Sequence, residues 1–120
     1  MAGAIGEIAR QTLRNDFRSI RPEEARIVLM DGAPRVLPGY PEDLSRKAQV
    51  ALAKLGVEVE SGVLVEKIDK EGLLFAAPNG AGRDRLDART VIWAGGVTVP
   101  AFAKTLANRM NAAVDKTGRI

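Results

Sequence analysis

The run Arg26-Ile-Val-Leu-Met-Asp31 closes on a carboxylate and is followed at once by Gly32 and Ala33. Consecutive apolar residues without polar alternation are the pattern of a parallel strand buried on both faces. A carboxylate at the end of such a strand can accept two hydroxyls, which is how a dinucleotide-binding unit holds the ribose of NAD. The same side chain also suits a plain turn-initiating Asp before Gly32. Residue types alone leave these two readings level. The Gly-rich strand-to-helix turn expected roughly 20 residues earlier in such a unit is absent, and the chain opens at Met1 inside what reads as the helix after that turn.

Composition narrows the chemistry further. The 120 residues leave room for one domain with a core of ordinary size. An apolar fraction of 46% excludes disorder, while an aromatic content of 4% means a core of Val, Leu, Ile and Ala. There is no Cys, so a disulfide framework, a thiolate nucleophile and a redox Cys pair are all excluded within the chain. There is no His, which removes the commonest metal ligand and general base. No catalytic residue and no metal site is therefore expected here, and the chemistry must come from a cofactor or from residues elsewhere. The net charge of +3 is mildly basic. With no aromatic residues interleaving the basic ones, no nucleic-acid partner is expected. No apolar run approaches the ~18 residues of a membrane span, and the N-terminus lacks the features of a signal peptide, so the expected location is cytoplasmic.

The elements that must position Asp31 follow from periodicity. Ile5, Ile8, Ala9 and Thr12 recur at helical spacing, predicting one amphipathic helix from Ala2 to about Asn15. Arg10, Arg14 and Arg18 line another face, read as solvated rather than as a membrane or acidic-partner contact. Pro22 stops any helix before it. Gly32 to Gly39, with Pro34 and Pro38, is a loop. A second helix is expected from Pro41, with Leu44, Ala48, Ala51, Leu52 and Leu55 as its apolar stripe and Gly56 as a left-handed cap. Val57 and Val59 mark a short strand. Val63, Val65 and Ile68, then Leu73 to Phe75, then Arg85 to Asp87, read as an antiparallel meander with turns at Lys70-Glu71-Gly72 and Pro78 to Gly82. Thr90 to Ala94 is expected as a buried strand breaking at Gly95 and Gly96, with Trp93 in the core. Val99 to Ile120 suggests a short helix and a polar tail. The order is α/β.

Three stretches together resemble the NADH-binding domain of type II NADH:quinone oxidoreductases, single-chain flavoproteins with two dinucleotide-binding domains. They are Ala2 to Ala9, similar to the continuation of the family's Gly-Val-Glu-x-Ala-Gly helix; Leu37-Pro38-Gly39-Tyr40-Pro41 running through Leu52 to Val59; and Val91-Ile92-Trp93-Ala94-Gly95-Gly96-Val97, similar to Trp-Ala-Ala-Gly-Val. The similarity spans roughly Ala2 to Ala107, with Gly95 standing where the family usually has Ala. It implies a Rossmann-like NAD-binding domain lacking its first strand and carrying an inserted antiparallel β-meander. Residues 1–107 would form that incomplete domain, and 108–120 a tail leading toward a flavin-domain segment.

The resemblance also implies function. The family moves hydride from NADH to FAD and then reduces a quinone. Asp31 matches the ribose-binding acid, favouring NADH over NADPH, with Arg35 nearby able to temper that preference. Gly32 and Ala33 match positions where backbone passes the adenosine. Val65 matches a residue packing on the adenine, although a Val in a strand is more often ordinary core. Ala94, Gly95 and Gly96 match a loop passing near the nicotinamide. The FAD motifs, the quinone site and the segments that attach the full-length protein to the cytoplasmic face of the membrane are not in this chain, and a homodimer is left open. A ferredoxin- or sulfide-linked flavoprotein, or a non-catalytic remnant binding nucleotide or a partner chain, are the alternatives. The isolated chain is expected to be inactive and marginally stable, or to rearrange so that the strands ending at Asp31 and Ala94 meet.

Overall fold

A computed structural model describes residues 1–78, 82–96 and 101–113. Helix α1, Ala2–Glu7, continues as a π-helical turn over Ile8–Thr12, shorter than expected. A single 3-10 turn, Pro22–Glu24, leads into β1, Ile27–Asp31. Helix α2 covers Glu42–Lys54, with Pro41 capping it rather than opening it. Gly56 follows at φ +74°, the left-handed cap that glycine adopts without steric cost. Strand β2, Val57–Ser61, pairs in parallel with β1, Ile27 opposite Val57 and Asp31 opposite Ser61. The meander is present as β3 (Leu64–Asp69), β4 (Gly72–Ala76) and β5 (Arg83–Asp87). Its second turn contains Asn79, Gly80 and Ala81, which lie outside the described residues. Helix α3, Ala101–Met110, is the expected short helix; the tail over 114–120 and the segment 97–100 lie outside the described residues.

Helix α1 lies against β1, β2 and α2, and small residues make that approach close. A side-chain carbon at Gly6 would sit 2.7 Å from the Leu55 carbonyl oxygen and 3.1 Å from a Val57 methyl. The face of α2 that turns inward is Ser45, Ala48, Leu52 and Leu55. Leu44, expected in that stripe, is exposed, because the buried face lies one residue further along the helix.

Two expectations fail. Thr90 to Ala94 forms no strand, and Ile92 and Trp93 are 56% and 64% exposed. An apolar run becomes a central strand only where neighbouring strands complete its hydrogen bonds. Among the described residues the parallel sheet holds only β1 and β2, so this run has no ladder to join, and it does not meet β1. The core is also smaller than ordinary. Buried apolar residues are Val36, Val57, Val63, Leu73 and Ala107. The accessible surface is 9503 Å², against about 6,300 Å² for a compact monomer of this mass. The radius of gyration is 18.4 Å, where about 14 Å is usual for a compact chain of this length.

The meander leans on charge instead. The Arg85 guanidinium meets both oxygens of Asp69 at 2.9 and 3.0 Å and reaches Asp87 at 2.9 Å. Asp69 also accepts the Glu71 and Gly72 amides at 2.9 and 3.1 Å. Arg85 first, then those amides, hold its carboxyl well below the ordinary value of 3.8.

Two outcomes follow. Gly6→Val forces α1 off β2 and costs about 1–3 kcal/mol of overpacking, read as a lowered midpoint in chemical denaturation. A carboxyl depressed in the folded state adds stability above its unfolded pKa that is lost as pH falls toward the folded value. Asp69→Asn therefore lowers protection of the β3–β5 amides from exchange at pH 7, and the difference from the parent chain shrinks below about pH 4.

Candidate functional site

Parallel pairing sets the carboxyl ends of β1 and β2 side by side, and both strands turn there. Gly62, at φ +73°, donates its N–H to the Ala33 carbonyl at 2.7 Å, and the Val63 N–H donates to the Asp31 carbonyl at 3.1 Å. Asp31 Oδ1 accepts the Ala33 N–H at 2.9 Å. The turn-initiating reading of Asp31 thus holds for one oxygen. No described residue donates to Oδ2, which keeps its accepting capacity on a half-buried side chain at the sheet edge.

The loop beyond is stitched down along its length. Ser45, buried on α2, donates its hydroxyl to the buried Val36 carbonyl. Arg35 donates to the carbonyls of Leu37 at 3.2 Å, Pro38 at 2.9 Å and Tyr40 at 2.9 Å. Leu37 sits at φ +51°, an uncommon conformation for a residue with a side chain. A side-chain carbon at Gly32 would come no nearer than 3.9 Å, to the Val63 carbonyl. The chain's own packing therefore does not demand glycine there.

Not every expected residue joins this group. Asp31, Gly32 and Ala33 are held against Gly62 and Val63. Val65 lies two residues further along, half-buried in β3 opposite Phe75. Ala94, Gly95 and Gly96 are exposed. Among the described residues, a side chain at Gly95 would meet only Trp93, and one at Gly96, at φ +81°, would meet none within 4 Å. Arg35, Ser45 and Gly62 are the positioning residues that periodicity passed over. Ser45 carried a usable signal, since it continues the helical spacing of Ala48, Leu52 and Leu55 and is a hydroxyl on an apolar face. Arg35 carried none, because nothing in a sequence tells which carbonyls a guanidinium will reach.

A cavity of about 400 Å³ lies at the opposite end of β2, lined by Arg10, Gln49, Ala53, Gly56, Val57, Glu58 and Val59. There Arg10 Nη2 sits 3.5 Å from the Gly56 carbonyl, a positive charge at the carboxyl end of α2 that suits the helix dipole. Ligands of open α/β sheets gather at the carboxyl ends of the strands, which makes the Asp31 end, rather than this cavity, the candidate site.

Comparison with known proteins gives the family. The pyridine nucleotide-disulphide oxidoreductase family model matches residues 2–120. The chain belongs to that family. Two curated members from Mycobacterium tuberculosis, the type II NADH:quinone oxidoreductases Ndh and NdhA, are each 36% identical to it over the whole chain. It spans 26% of the length of each. Among solved structures, NDH2 from Plasmodium falciparum in complex with NADH superposes with a TM-score of 0.79 at 15% identity, covering 98% of this chain and 23% of that one. NDH2 in complex with RYL-552 gives 0.80 at 19% identity, covering 94% and 24%. The Rossmann-like fold expected from the family is thus present, with its antiparallel meander.

The local packing makes one test direct. Ser45→Ala leaves the buried Val36 carbonyl without its donor and costs about 1–3 kcal/mol, seen as a lowered denaturation midpoint with faster amide exchange over residues 36–40.

Proposed function

We propose that this chain is the NADH-binding part of a FAD-dependent NADH:quinone oxidoreductase, with residues 1–107 as an incomplete NAD-binding domain and 108–120 as a tail. The observation that carries the reading is Asp31. One of its oxygens is fixed in a turn and the other is left unpartnered at the carboxyl end of a parallel strand, in a chain whose family handles pyridine nucleotides. Its Oδ2 accepts the adenosine ribose hydroxyls and repels a 2′-phosphate. Gly32 and Ala33 bring backbone close to the adenosine, and Val65 lies against the adenine. Ala94, Gly95 and Gly96 form the loop near the nicotinamide. Quinone as acceptor is supported by the names of the two mycobacterial relatives.

The cavity at the amino end of β2 is faced by Glu58, whose carboxylate is already gripped by Arg26 at 2.8 to 3.0 Å. No flavin contact is assigned to these residues, and within this proposal the 120 residues by themselves are not expected to oxidise NADH. No helix among the described residues is long and apolar enough to cross a membrane; a cytoplasmic location, with attachment to the membrane through other segments, is part of the same proposal.

Asp31→Ala removes the ribose acceptor, and NADH binding weakens about tenfold to a hundredfold, the equivalent of hydrogen bonds to a charged group. Calorimetric titration of the purified protein with NADH reads this. Unchanged affinity in the variant would overturn the ribose assignment.

A further inference from the structure

Arg35 lies four residues beyond the acid proposed to hold the ribose. A guanidinium in that neighbourhood is the ordinary means by which a dinucleotide site accepts a 2′-phosphate. Its geometry here is different. Nη1 donates to Leu37, and Nη2 donates to both Pro38 and Tyr40, so three of its five N–H donors go to main-chain carbonyls of its own loop. The same segment is pinned on one side by Gly62 to Ala33 and on the other by Ser45 to Val36.

Resting on the dinucleotide reading above, we propose that Arg35 is a positioning residue for NAD(H) specificity. It shapes the lip beyond Asp31 and does not bind phosphate. The guanidinium presents its donors in a fixed planar fork whose geometry an ammonium does not reproduce. With the loop held, the ribose reaches Asp31 Oδ2 while Arg35 faces the far end of the loop. A 2′-phosphate would then meet the Asp31 carboxylate while the Arg35 guanidinium is turned toward the carbonyls of its own loop. Arg35 thus sharpens the preference for NAD(H), contrary to the tempering role its charge suggests.

The test is calorimetric titration of the purified protein and its Arg35→Ala and Arg35→Lys variants with NAD⁺ and NADP⁺. Affinity for NAD⁺ is expected to fall about tenfold in Arg35→Ala. NADP⁺ affinity should fall less, so that the NAD⁺ to NADP⁺ ratio narrows, and Arg35→Lys should not restore it. A selective loss of NADP⁺ affinity, or a ratio unmoved in Arg35→Ala, overturns the role of Arg35 while leaving the dinucleotide reading standing. Failure of the parent protein to bind either dinucleotide overturns that reading and this proposal with it.

Discussion

The parallel pairing of β1 with β2 is the constraint on which everything else in this chain depends. Its register sets Asp31 opposite Ser61, and the ladder runs on past the strand ends. The bonds from Gly62 to Ala33 and from Val63 to Asp31 carry it into the loop. A shift of one residue would turn Asp31 to the other face of the sheet, because side chains alternate along a strand. The α1 helix could then no longer seat Gly6 against Leu55 and Val57.

The two sheets are held by different forces. Around β1 and β2, small residues allow helices to approach closely, and the apolar core is concentrated there in Val36, Val57 and Val63. The meander buries little beyond Leu73 and draws its geometry from Arg85 among three carboxylates. Between and beyond them much apolar surface stays open. Trp93, Ile92, Phe102 and Met110 are all exposed. Burial of apolar area is the main favourable term in folding, and these side chains contribute little to it. The expected pairing of the Thr90 to Ala94 run with β1 is not met.

Particular elements show what could be read in advance. The apolar run closing on Asp31, the glycine cap at Gly56 and the three strands of the meander were legible, since each is a local pattern with a local cause. The family was legible from the order of three motifs. Thr90 to Ala94 misled because its composition describes a buried strand, while strand formation depends on partners that composition cannot supply. Trp93 was misplaced for the same reason. Leu44 was assigned to the inward face by hydrophobicity, and Ser45 took that place because its hydroxyl satisfies a buried carbonyl.

The sequence by itself determined the element order as far as the meander, the absence of thiol and imidazole side chains, and a carboxylate at the end of an apolar run. These depend on residue type and short-range spacing alone. Only the tertiary structure decided what that carboxylate faces. It committed one Asp31 oxygen to Ala33 and left the other open, and it turned Arg35 toward three carbonyls of its own loop. It also left Ala94 to Gly96 exposed. Which donor reaches which acceptor depends on distances between segments remote in sequence, and only folding sets those distances.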